Sequence, residues 1–181
     1  MPASRKAPAP KAASQKAASP KAPAHQQQRE RDSTGKPLNG RPRDGLGRPL
    51  PRGSVGAPRI PDDLRLPPEE SIAKAQELLD AGMPFHAHEI LEGTWKDSPE
   101  PERMLWQGLA QLAVGLTHLM RGNLVGAVSL LGQGHDRIRG YEVDPPYGLD
   151  VAGLLNWSDS LLSNIDSGDL EQPPIVPHLL F

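Results

Sequence analysis

The segment FHAHEILEGTW, residues 85–95, sets His88 and Glu92 four residues apart, with Glu89 between them and Trp95 one turn further on. A spacing of four is close to one helical turn, so on a helix the two side chains share a face. An imidazole and a carboxylate so placed can do three things. They can satisfy each other in a hydrogen-bond network, move a proton with Glu92 as general base and His88 as its partner, or hold a zinc or iron ion.

The metal templates fit poorly. A zincin helix needs His-Glu-x-x-His with both histidines as ligands, and here Glu92 stands where the second histidine belongs. A di-iron bundle needs Glu-x-x-His pairs, and no histidine in the chain has a glutamate three residues before it. His88, Glu92 and His118 can still supply three ligands, so a divalent metal held by these three is the sharper alternative to an expectation of no cofactor. Cysteine is absent, which removes thiolate metal sites, disulfides and cysteine nucleophiles; there is no G-x-S-x-G and no phosphate loop after a strand. His86 points away from the His88 face, and His135 sits where a helix C-terminus favours a cation, so neither requires a function.

The elements that must position these residues are helices. PPEESIAKAQELLDAG starts at Pro68, gathers Glu69 and Glu70 at the positive end of the helix dipole and stops at Gly82. Pro84 opens a second helix that carries the motif to Asp97. Pro99 and Pro101 precede a third, from about Glu102 to Arg121. Asn123 is suited to cap a fourth, LVGAVSLLGQGHDRIRG, on which Gly108, Gly115 and Gly122 of the third offer a smooth line for close crossing. DPPYG is a turn, and a final helix spans Asp150 to Ile165. Nothing alternates with the period of a strand.

At 100° per residue, Phe85, His88, Leu91, Glu92 and Trp95 fall within about a third of the second helix's circumference. That mostly apolar face is expected to turn inward and hold His88 and Glu92 inside the bundle. Buried polar groups need partners, and Gln107, Gln111 and His118 share a stripe on the third helix that can provide them. The expectation is a polar pocket lined by His88, Glu89, Glu92, Trp95, Gln107, Gln111 and His118. It is either a structural network that registers two helices or a binding site.

Charge divides the chain. Residues 1–60 hold 13 Lys/Arg against Glu30, Asp32 and Asp44, a net +10, while residues 61–181 hold 7 against 19, a net −12. PKAASQKAASPKAPA and its surroundings contain no aromatic residue and too little apolar surface to offset ordering entropy, so residues 1–33 are expected to be a disordered basic tail. Such a tail can act as a solubilising linker, attract nucleic acid or acidic surfaces, or fold back on the acidic domain. Residues 34–67 read as an extended Arg/Pro/Gly-rich arm, a spacer whose Leu38, Leu46 and Leu50 can also serve as surface anchors. Residues 68–166 are the helical domain, and 167–181 a proline-bearing extension. The N-terminal residues lack the apolar stretch of a secretory signal. Leu109–Met120 is too short for a membrane span, so the setting is expected to be cytoplasmic.

HAHEILEGTW followed by LWQGLAQLAVGLTHLMRGNLVGAVSLL resembles family 309 of the domains of unknown function, small all-helical proteins of bacteria and archaea. The resemblance spans about residues 69–165. It rests on His88, Glu89, Glu92 and Trp95, then Gln107, Gln111, Gly122, Asn123, Gly126 and Ala127. RPRDGLGRPLPRG resembles the leader of actinobacterial members. The family resemblance implies a helical bundle and brings no established activity. The sequence therefore yields an all-α bundle of about five helices behind a basic tail. Its leading role is a non-enzymatic module binding an unidentified protein or small molecule; the competitor is a metal-dependent or hydrolase-like enzyme using Glu92.

Overall fold

In the computed structural model, residues 41–61, 63–170 and 173–181 are described; the expected tail, 1–33, and the start of the arm, 34–40, lie outside them. Prolines set the first helices, because a fixed φ and a missing N–H cost nothing at a helix start. Helix α1 is Pro68–Asp80, α2 is Pro84–Asp97, and α3 is Glu100–Met120 with Pro101 in its first turn. Gly82 and Gly122, both at positive φ, end the turns after α1 and α3. Helix α4, Leu124–Ile138, is capped by Asn123, whose side chain accepts the Gly126 N–H; α5, Val151–Ser167, is capped in the same way by Asp150 and Gly153. Two 3-10 turns, Arg139–Tyr141 and Pro146–Gly148, join α4 to α5. No strand is present among the described residues, only two isolated bridges.

Helix α3 is the axis of the bundle. Leu105, Trp106, Leu109, Leu112 and Leu116 are buried along it, against α2 on one side and α4 on the other. Gly108 and Gly115 do face α4. A Cβ on Gly108 would stand 2.6 Å from Ile138 Cγ2 and 3.0 Å from the Gly134 carbonyl, and one on Gly115 would stand 2.8 Å from Leu131. Gly122 is not part of that line, since it has left the helix and turns the chain. At the start of α3, Glu102 receives the Trp106 indole N–H at 3.1 Å and the Tyr147 hydroxyl at 2.8 Å. Burial, then that hydrogen bond and the charges of Glu102 and Glu69, push the Tyr147 hydroxyl up to about 12.

Both extensions lie on the bundle. Ile60, Leu64 and Leu66 of the arm are half-buried against the core, and Arg65 pairs with Asp97 at 2.5 Å. At the other terminus Leu179 is 3% exposed, its N–H bonded to Gln76 Oε1 at 2.7 Å, while Gln76 Nε2 donates to the Pro177 carbonyl at 3.2 Å. The arm is therefore not a bare spacer.

Candidate functional site

The register of α2 decides what its polar residues can do. Ala87, Ile90, Leu91 and Thr94 are buried, at the i, i+3, i+4, i+7 spacing of one helix face. This face lies about 100° round the helix from the one expected to turn inward. The two share Leu91, but Phe85, His88, Glu92 and Trp95 sit on a half-exposed edge. The buried face carries no ionisable group, whereas the expected one carries His88 and Glu92, whose desolvation is costly, and Thr94 bonds α2 to α1 through Ser71 at 2.7 Å.

On that edge His88, Glu92 and Lys96 form a ladder one turn apart. His88 Nε2 is 3.6 Å from Glu92 Oε2, and Lys96 Nζ is 3.1 Å from Glu92 Oε1. Trp95 lies under the Arg103 guanidinium, 6.0 Å from ring centroid to carbon. His88 keeps 22% of its side chain exposed, yet its Nδ1 is buried and meets no partner at full hydrogen-bond geometry, the one such side-chain atom among the described residues, although the Phe85 main chain lies close enough to favour the charged ring. Burial lowers its pKa below the ordinary histidine value of 6.5, against the opposing pull of Glu92, Glu89 and the Phe85 carbonyl. The ring is therefore neutral over a wider range of pH than an exposed histidine.

His86 is the buried histidine of this helix, 3% exposed, although its position opposite the motif face gave no reason to single it out. Its Nδ1 lies 2.8 Å from Glu89 Oε2 and its Nε2 is 3.2 Å from the Asp44 carbonyl of the arm. The arm folds over this end as the turn Asp44–Gly47. Gly47, at positive φ, rests on the Phe85 ring so closely that a Cβ would come within 2.3 Å of it. Arg43 and Arg121 stand over the same ring at 5.5 and 5.6 Å. Arg43 donates to the Gly47 carbonyl at 2.6 Å, and Arg121 to that of Leu46. Burial pushes the Asp44 carboxyl up, but hydrogen bonds from Arg48 and Leu46 and the Arg48 charge outweigh it and hold it below 3.8.

The α3 members of the expected pocket answer α4 instead. Arg137 donates to Gln107 Oε1 at 3.1 Å and to Gln111 Oε1 at 2.8 Å, and Gln111 donates to Gln133 at 3.2 Å. His118 Nδ1 accepts the Asn123 amide N–H at 2.9 Å, an orientation fixed because Asn123 Oδ1 already holds the Gly126 N–H. No hydrogen bond or ion pair joins His88, Glu89, Glu92 or Trp95 to Gln107, Gln111 or His118 among the described residues. No three His, Asp or Glu side chains there are grouped as a metal site would require, so the fold as described does not bring His88, Glu92 and His118 together. The hollow beneath the C-terminal extension is lined by leucines of α1, α2, α3 and α5 with Trp157 and Pro177, and by none of the seven expected residues.

What the sequence reading missed, His86, Asp44, Arg121 and Arg137, had weak signals at best. His86 and Glu89 are three apart, a helical contact spacing, and Asp44-Gly-Leu-Gly is turn chemistry. The partners of Arg121 and Arg137 depend on packing between elements.

Residues 72–130 match the family model described as "Domain of unknown function (DUF309)", a shorter span than the resemblance read from the sequence. The chain is also similar to "Uncharacterized protein YpuF" of Bacillus subtilis (strain 168), 34% identical over 95 residues. That alignment covers 51% of this chain and 55% of the relative, about half of each. No solved structure matches. No helix of the described residues is long and apolar enough to cross a membrane.

Proposed function

We propose that this chain, which carries a domain of the DUF309 family, is a non-enzymatic binding module whose recognition edge runs along α2 through His88, Glu92 and Lys96. The observation that carries the reading is the unanswered Nδ1 of His88. Elsewhere in the described part of the fold each buried side-chain nitrogen and oxygen has a partner, as stability demands, and an orphan costs about 1–3 kcal/mol. Glu92 faces Nε2 and favours the N–H there, which leaves Nδ1 with the lone pair. Rotation of the half-exposed ring presents that lone pair to a donor. The ligand class is thus a protein or small molecule offering an N–H or O–H, with Phe85 alongside at 5.9 Å as an apolar wall.

Nitrogen-detected NMR of the His88 ring tests this directly. The reading expects Nδ1 without a proton in the free protein, and fragment hits carrying amide or hydroxyl donors that shift His88 and vanish in His88→Leu. A ring protonated at Nδ1 with Nε2 bare, or hits indifferent to His88→Leu, defeats it.

The competing reading, an enzyme with Glu92 as general base and His88 or His118 as ligand or partner, rests on the adjacency of His88 and Glu92. It predicts stoichiometric zinc, iron or manganese after metal loading that is lost in His88→Ala. A nucleic-acid role for residues 1–33 is a separate proposal. It requires retention on DNA or RNA that weakens steeply with salt and disappears when those residues are deleted.

A further inference from the structure

The two ring nitrogens of His86 face oxygens that can only accept: a carboxylate, Glu89 Oε2, at Nδ1 and a main-chain carbonyl, that of Asp44, at Nε2. A neutral imidazole has one N–H, and two such contacts need two. Turning the ring over does not help, since both neighbours remain acceptors. The arrangement as folded therefore belongs to the doubly protonated ring. We propose that His86 is a proton-operated clasp that holds the Asp44–Gly47 turn of the arm on the end of the bundle.

The groups around it support one direction of response. On α2, Glu89 is the carboxylate in contact, Phe85 stands edge-on at 5.4 Å, and His88 is turned toward Glu92. On the arm, the Asp44 carboxylate is committed to Arg48 and the Leu46 N–H, and Arg43 bonds the Gly47 carbonyl. From α3, His118 is committed to Asn123, and Arg121, just past the helix end, bonds the Leu46 carbonyl. On α1, Glu77 and Asp80 hold Lys74 and Gln76. Glu89 is thus the one carboxylate in contact with the ring, while Arg43 and Arg121 are committed to carbonyls of the docked turn.

When the ring gives up a proton, the charge on Glu89 retains the N–H at Nδ1, because charge-assisted hydrogen bonds are the stronger ones. Nε2 is then left with a lone pair pointing at the Asp44 carbonyl, acceptor against acceptor. The tie becomes a repulsion at a site almost closed to water, where the mismatch is least screened. Acid closes the clasp and base opens it. Opening bares the Phe85 ring and frees the Arg121 N–H groups from the Leu46 carbonyl, so the end of the bundle changes from covered to accessible. This response does not depend on the ligand edge at His88.

The test follows the whole chain by NMR between about pH 5 and pH 9, which brackets histidine titration. Expected are two ring N–H groups on His86 at the acid end, and Gly45 and Gly47 amide signals that titrate with the midpoint of the His86 ring. Arm amides should lose at least about tenfold in exchange protection, beyond intrinsic pH effects, at the basic end. In His86→Gln the amide N–H serves the Asp44 carbonyl at any pH, and the arm signals should stop titrating; in His88→Gln they should titrate as before. If His86→Gln does not fold, the wild-type ring still decides. A singly protonated His86 beneath a docked arm, or arm signals that stay fixed while His86 titrates, overturns the proposal.

Discussion

The arm and the C-terminal extension are both proline-bearing segments laid over the helices, yet they are held by different chemistry. The extension is tied by neutral groups: Gln76 spans Pro177 and Leu179, Asp150 N–H meets the Leu179 carbonyl at 2.9 Å, the Trp157 indole N–H meets that of Ile175, and the Leu179 side chain is buried. The arm turn presents the carbonyls of Asp44, Leu46 and Gly47 to His86, Arg121 and Arg43. Little of its own apolar surface is sealed there, and Leu46 is half-buried. Burial of a leucine is indifferent to pH and salt, whereas ties made by cations are not. The extension is part of the core, and the Asp44–Gly47 turn of the arm is docked on it.

That contrast is exposed to test, and the extension should show the largest effect. Leu179→Ala removes a 3%-exposed side chain and should lower unfolding free energy by about 2–5 kcal/mol in urea melts, equally at pH 6 and 8 in about the manner of any core truncation. A strong pH dependence in that loss would end the distinction. Gly47→Ala should detach the arm at a cost of roughly 1–3 kcal/mol, since its Cβ collides with Phe85 and its φ is positive. Exchange of the arm amides should report this while the helical melt moves little. Gln76→Ala removes two bonds from the extension and should cost about 1–2 kcal/mol, seen as a lower urea midpoint.

The histidine two residues from the clasp should respond in the opposite sense to acid. Folding depresses the His88 pKa, so below 6.5 the unfolded chain takes up the proton more readily than the folded one. Stability should therefore fall as pH drops from 6.5 toward the folded value and level off beneath it. His88→Leu should flatten that slope and leave stability at neutral pH unchanged or raised by about 1 kcal/mol, because an unpaired buried nitrogen is removed. Smallest of all, Glu92→Gln should stay within about 0.5 kcal/mol of wild type, as expected for a surface ion pair with Lys96.

The helices were legible because their signals are local. Pro68 and Pro84 open α1 and α2 at the positions read from sequence, Gly82 and Gly122 close turns, and Asn123 caps α4. Helix ends are written within a few residues of where they occur, and the apolar period fixes the element type. The site was legible only as a set of residue types. His88, Glu89, Glu92 and Trp95 do lie along one helix, but Gln107 and Gln111 serve Arg137, and His118 serves its own turn.

The sequence by itself determined five helices and the residues each carries, since backbone geometry, capping and periodicity act over one or two turns. Tertiary structure decided which face of α2 turns inward, which polar side chains meet, and that the arm is docked. Those outcomes rest on contacts such as Asp44 with His86, 42 residues apart, and Gln76 with Leu179, 103 apart. They follow from how volumes fit when helices close. In α2 the face without ionisable side chains, Ala87, Ile90, Leu91 and Thr94, took the interior, and His88 and Glu92 stayed on its half-exposed edge.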